Sequence, residues 1–198
     1  MGLAQRNPEL YTPEEYLALE RQADARHEFL DGEIYAMAGG SKRHNSISVN
    51  VIRLLGNQLL ENDCSVYGSD MRVKITSTGK YTYPDVVAVC GEEFFEDESE
   101  DTLLNPMLLV EVLSQSTEAY DRGGKFEYYQ TIPSFSEYVL IAQEPFRVEQ
   151  FVRKESNVWT YFEFRQPDET VKLHSIDCEL TLRDIYHKIQ QKFPKEVI

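Results

Sequence analysis

Two short apolar runs in this chain each carry one acid. Tyr83-Pro84-Asp85-Val86-Val87-Ala88-Val89 and Met107-Leu108-Leu109-Val110-Glu111-Val112-Leu113 are aliphatic and β-branched stretches of strand length. An ionised carboxylate in such a run is costly unless a cation or hydrogen-bond donors meet it, and two brought together repel. A divalent cation between them is the natural counter-charge. Further on, Asp121-Arg122-Gly123-Gly124-Lys125-Phe126-Glu127-Tyr128-Tyr129-Gln130 brings a lysine into a predicted helix. Two carboxylates on neighbouring strands and a nearby lysine are the minimal set for metal-assisted phosphodiester hydrolysis. The oxygens hold Mg²⁺, with Mn²⁺ as the alternative ion, and the ammonium steers water or developing charge.

These residues resemble the PD-(D/E)xK nuclease superfamily: Pro84-Asp85 matches its PD, and Glu111 its second acid. The usual lysine stands two residues after that acid, where this chain has Leu113. The stretch is more similar to the Uma-type family of restriction-endonuclease-like proteins, in which the lysine moves to the following helix, and Lys125 matches that relocated residue. Glu111-Val112-Leu113-Ser114-Gln115-Ser116-Thr117 and Glu137-Tyr138-Val139-Leu140-Ile141 resemble the same family, so the likeness spans most of the chain. It implies an α/β (α+β) restriction-endonuclease-like core with a mixed central β-sheet flanked by helices, preceded by an N-terminal helix and hairpin. It also implies an endonuclease that hydrolyses DNA with Mg²⁺.

The resemblance implies catalytic roles for Asp85, Glu111 and Lys125. It places metal on Asp85, Glu111 and the backbone carbonyl of Val112, the residue after the second acid. Three secondary candidates join them. An upstream acid can complete the site in that family, and Glu33, just after Asp31-Gly32, is chosen for it with Glu28 as its competitor. His44 is a candidate for contacting phosphate or assisting proton transfer. Arg122, one helical turn before Lys125, suits bidentate phosphate binding. The rival reading is a nuclease fold kept as a non-catalytic scaffold for protein or nucleic acid, with Asp85, Glu111 and Lys125 as a structural charge cluster.

The net charge of −14 sits awkwardly with DNA binding, but it is unevenly spread. Residues 92–101 hold seven acids and no base, whereas residues 41–80 hold six bases against three acids. The basic segment is therefore expected to face phosphate, and the acidic run to be a solvated loop. Gly39-Gly40-Ser41-Lys42 lacks P-loop spacing, and no Gly-x-Ser-x-Gly elbow occurs. Cys64, Cys90 and Cys178 are widely spaced beside apolar runs and are expected as buried thiols rather than a disulfide or zinc site. No run approaches the roughly 20 apolar residues of a membrane helix. The expectation is a cytoplasmic protein with DNA as partner, no membrane, and a homodimer as an admissible state.

At 198 residues the chain suits one domain. Residues 1–40 are read as the N-terminal helix and hairpin, 41–142 as the core, and 143–198 as a C-terminal hairpin, strand and helix. Thr12-Pro13-Glu14-Glu15 is a capping box that starts a helix running to about Gln22. Asp31-Gly32 joins two short strands. Ser41 caps a long helix in which Ile47, Val51, Leu54, Leu55 and Leu59 share a face. Strands are then expected near 64–67 and 70–76, a turn at 77–80, the Asp85 and Glu111 strands, the Lys125 helix and a strand at 138–142. A hairpin follows at 146–153 and 159–164, then a strand at 171–173 and a short helix at 182–189.

Overall fold

The computed structural model describes residues 10–189. Helix α1 (Pro13–Glu20) begins at the expected capping box, with the Thr12 side chain accepting from the Glu15 N–H and the Glu15 side chain accepting from the Thr12 N–H. It leads into strands β1 (His27–Leu30) and β2 (Glu33–Ala36). Asp31 and Gly32 both take positive φ, 52° and 89°, which is the two-residue turn that matches strand twist. Helix α2 (Lys42–Gln58) starts at Ser41, whose Oγ accepts the His44 N–H, and buries Ile47, Val51 and Leu55.

Strands β3 (Cys64–Gly68), β4 (Arg72–Ile75), β5 (Lys80–Thr82), β6 (Val86–Cys90), β7 (Thr102–Leu103) and β8 (Leu108–Leu113) follow. The lysine-bearing helix is three short pieces: α3 (Glu118–Tyr120), a π-helical turn (Asp121–Lys125) and α4 (Phe126–Tyr129). Then come β9 (Glu137–Ala142), β10 (Arg147–Glu155), β11 (Val158–Phe164), β12 (Thr170–Leu173), β13 (Cys178–Thr181) and α5 (Leu182–Ile185).

The central sheet has six strands in the order β11-β10-β9-β8-β6-β3. It is mixed, because β8 runs parallel to β9 while its other neighbours are antiparallel. Strand alternation divides its side chains between two cores. Val86, Ala88, Val110, Val112, Val139 and Ile141 pack with α2 on one face. Val87, Leu109, Leu113 and Leu140 pack on the other with Tyr129 and Phe135. The expected mixed sheet flanked by helices is therefore present.

The second sheet was not anticipated. Strands β4 and β5, expected as part of the core and as a turn, join the N-terminal hairpin in a five-stranded sheet ordered β2-β1-β5-β4-β7. Tyr81 of β5 holds it there by packing with Tyr16 and Phe29 in a small separate core. Strands β12 and β13 form a two-stranded sheet, and α5 ends at Ile185 rather than Ile189.

The pairing corrects two expectations about charge and cysteine. Cys64 and Cys90 stand directly opposite each other in the β3–β6 register and form a disulfide, with Cα atoms 3.9 Å apart. Their sequence separation of 26 hides that juxtaposition; Cys178 is a buried free thiol. The acidic run is not simply solvated either. Arg21, the residue that caps the C-terminus of α1, lies 2.8 Å from both Asp97 and Asp101, Arg72 lies 2.8 Å from Asp101, and Lys74 pairs with Glu96. With Lys80 held by Asp31 and Arg43 by Glu144, four of the six bases on the expected basic face are occupied by the chain's own acids. Among the described residues no helix is long and apolar enough to cross a membrane.

Candidate active site

The β6–β8 register pairs Val86 with Val110, so one residue further sets Asp85 opposite Glu111. Pro84 would come next, opposite Val112, and has no N–H to give. The ladder stops there. The Val112 N–H is taken instead by Asp85 Oδ2, at 2.7 Å. A strand residue sends its C=O to the same edge as its N–H. The Val112 carbonyl therefore faces the place where β6 has ended.

Glu111 is only 5% exposed and points into the face that the π-turn covers. Glycines at 123 and 124 weaken the α-helix here, and π-turns of this kind are frequent at functional sites. Asp121 and Lys125, one turn apart, are both buried by it. The Lys125 Nζ lies 3.0 Å from Glu111 Oε1, 3.1 Å from Glu28 Oε1 and 3.8 Å from Asp121 Oδ1. Tyr129 donates to Glu111 Oε1 at 3.0 Å, and Tyr138 fixes the turn by donating to the Asp121 carbonyl. On the opposite wall, His44 Nε2 is 3.1 Å from Asp85 Oδ2.

The electrostatics are strained toward negative charge. Burial raises the Glu111 carboxyl well above the ordinary range; Lys125 pulls it down, while Asp121 and Asp85 push it further up. Burial likewise raises Asp121. Burial also opposes the Lys125 ammonium, but Glu111, Glu28 and Asp121 outweigh it and hold its pKa well above an ordinary lysine. The hydrogen bond to Asp85 raises the His44 imidazole against the opposing effect of burial. Four carboxylates (Glu28, Asp85, Glu111 and Asp121) thus share one ammonium and one imidazole.

All of these groups line one cleft of about 660 Å³. Asp85, Glu111, Lys125, His44 and Val112 are brought together in it. Glu33 is not: it sits exposed on β2 and accepts from Tyr35, while Glu28, two pleats back on β1, turns inward to Lys125. Hairpin periodicity could not choose between them; the pairing of β1 with β5 did. Arg122 is also absent. It is bound to Glu118 and Glu149, so it is committed away from any phosphate in the cleft. His44 has its Nε2 on Asp85 rather than directed at a substrate. Asp121 and Tyr129 were missed by sequence reasoning, although Asp121 and Lys125 have helical i, i+4 spacing.

A family model described as Uma2, putative restriction endonuclease, matches residues 13–183. The chain belongs to the Uma2 family. Two similar proteins come from Synechocystis sp. (strain ATCC 27184 / PCC 6803 / Kazusa). The uncharacterized protein slr1290 is 38% identical over 175 residues, covering 88% of this chain and 90% of its own. The uncharacterized protein sll1609 is 39% identical over 150 residues, covering 76% and 85%. In three dimensions the chain is similar to a crystal structure described as a putative nuclease belonging to DUF820, from Anabaena variabilis ATCC 29413. The TM-score is 0.72 at 16% identity, over 88% of this chain and 97% of that one. At that identity the likeness is one of fold, and the fold of this Uma2 protein is the restriction-endonuclease-like one.

Divalent metals are the usual cofactors of restriction-endonuclease-like families, and the donor chemistry here can be tested against one. Among the described residues no three His, Cys, Asp or Glu side chains are grouped to hold a metal ion. Asp85 uses Oδ2, and Glu111 uses Oε1, for their protein partners. The second oxygen of each carries no hydrogen bond among the described residues. Two half-committed carboxylates and a backbone carbonyl make an all-oxygen set. That set fits Mg²⁺, which keeps several waters and takes only one or two carboxylates from the protein.

Proposed function

We propose that this Uma2 protein is a metal-dependent nuclease that hydrolyses phosphodiester bonds of DNA. The observation that supports the reading is the arrival of Lys125 from the π-turn within 3.0 Å of Glu111, which stands opposite Asp85 on the neighbouring strand. Asp85, Glu111 and the Val112 carbonyl would hold Mg²⁺, with Mn²⁺ as a substitute. When bound, the metal would lower the pKa of a water and neutralise phosphate charge.

The chain's own groups supply the rest. Lys125, kept charged by three acids, is a hydrogen-bond donor and not a base, so it orients the attacking water or stabilises charge on the phosphate. Tyr129 holds Glu111 by the oxygen that faces the protein and leaves the other toward the cleft. His44 and the Val112 N–H fix Asp85 in the same manner, which makes His44 a positioning residue. Glu28 and Asp121 balance Lys125 and fix its ammonium between strands.

Cleavage of DNA in Mg²⁺, compared for wild type and Glu111→Gln, tests this reading together with calorimetric metal titration. Loss of both cleavage and metal binding in the variant is expected. Metal affinity unchanged by Glu111→Gln, or no cleavage by wild type in Mg²⁺ or Mn²⁺, overturns it in favour of a non-catalytic scaffold.

A further inference from the structure

Duplex DNA carries about one negative charge per 1.7 Å of axis, and proteins that grip it do so with many lysines and arginines. Among the described residues no such row leads to this cleft. Its basic lining is Arg26, His44 and Lys125, against Glu28, Asp85, Glu111 and Asp121. Lys125 is enclosed by three of those acids, and Arg26 lies 3.0 Å from Asp70. Arg72, Lys74 and Lys80 are held by Asp101, Glu96 and Asp31. Arg122 and Arg147 share Glu118 and Glu149. On α2, Arg43 pairs with Glu144, and Lys42 and Arg53 stand about 16 Å apart along the helix.

The cleft offers stacking and uncharged donors instead. Its volume, about 660 Å³, is that of a site that encloses a ligand-sized group. Tyr35 in its wall is 47% exposed. Tyr120 also lines it, and its hydroxyl is buried without a hydrogen-bond partner. The hydroxyls of Ser114, Ser116 and Thr117 satisfy one another at the rim and can exchange those bonds for a ligand's. An aromatic face stacks on any base without a cation, and an orphaned buried phenol is an open donor position.

Building on the nuclease reading, we propose that the cleft takes single-stranded nucleic acid, one or two nucleotides at a time. Tyr35 is its stacking face and Tyr120 a donor to the strand; an extended duplex is not its preferred ligand. DNA and RNA strands share this chemistry and are separated by the test.

Equilibrium binding by fluorescence anisotropy, in Ca²⁺ to suppress turnover, keeps this inference apart from catalysis. Labelled single-stranded DNA, single-stranded RNA and duplex DNA of about 12 nucleotides form the three arms. At least one single strand should bind about tenfold or more tightly than duplex, with a log–log salt slope shallower than about 2. Tyr35→Ala should weaken that strand about tenfold, and Tyr120→Phe should weaken it while leaving the melting temperature unchanged. Preferential duplex binding, a slope of about 6 or more, no binding in any arm, or full affinity in Tyr35→Ala each overturns the inference. Duplex preference accompanied by cleavage leaves the nuclease reading standing. Strand preference without cleavage in any metal removes that reading alone.

Discussion

The Lys125 side chain has one position and several obligations. Its ammonium is buried, and Glu111, Glu28 and Asp121 make that burial tolerable. On the nuclease reading, Lys125→Ala should lower the cleavage rate by about a hundredfold or more while Mg²⁺ still binds, the size of effect expected for a lost catalytic group. Single-turnover kinetics and calorimetry on the same variant check the two halves; cleavage at the wild-type rate would remove Lys125 from the chemistry. Gly40 provides a second test at this scale. A Cβ placed there would lie 2.6 Å from His44 Nδ1, so any side chain pushes the imidazole from its seat beside Asp85. Gly40→Ala is expected to slow cleavage about tenfold or more with little loss of stability. A rate equal to wild type, at an equal melting temperature, would show that the His44–Asp85 contact is not needed.

Among the elements, α1 and the acidic loop are joined by charge. The Arg21 guanidinium holds the Asp101 carboxyl far below the usual carboxylate range; burial opposes this, and Thr102 and Arg72 add to it. A depressed folded-state pKa means that the contribution is present above the unfolded value of about 3.9 and is lost as pH falls through the folded one. With Asp101 about a third exposed, at 34%, Asp101→Asn should cost roughly 1–2 kcal/mol at neutral pH. The gap to wild type should close as pH drops below about 3. Urea denaturation across that range reads it directly, and a gap that persists at low pH would mean that packing and not charge is responsible. The π-turn shows how a short element can be set by its neighbours. Tyr138 of β9, Tyr129 of α4 and Glu111 of β8 all bond to it or to its lysine's partner. Glycines in its middle relax the backbone but do not by themselves choose the wider turn.

For the molecule as a whole, the cleft brings together parts far apart in sequence: Glu28 from the second sheet, Asp85 and Glu111 from the central one, His44 from α2. On the nuclease reading, a cation held by Asp85, Glu111 and the Val112 carbonyl binds only the folded chain, so metal should stabilise the native state. At about a hundred times its Kd, Mg²⁺ should raise the melting temperature by roughly 5–10 °C, and Asp85→Asn with Glu111→Gln should abolish the shift. An equal shift in that double variant would place the metal elsewhere. The sequence by itself determined the local part of this protein. Strands with a lone acid, the capping box at Thr12, the Asp31-Gly32 turn and the amphipathic face of α2 are written in runs of a few residues, because backbone sterics and burial period act over that range. Asp85 and Glu111 were legible for a related reason, each being a charge beside or within an apolar run, whereas Lys125 was reached through the resemblance to the Uma-type family. Only the tertiary structure decided which charges answer which. Glu28 rather than Glu33 reaches Lys125, Arg122 goes to Glu149, Asp101 takes Arg21 and Arg72, and Cys64 meets Cys90, because ion pairs and cross-strand partners are chosen by sheet register and packing across 26 to 97 residues of chain. Nothing in a local window records that distance.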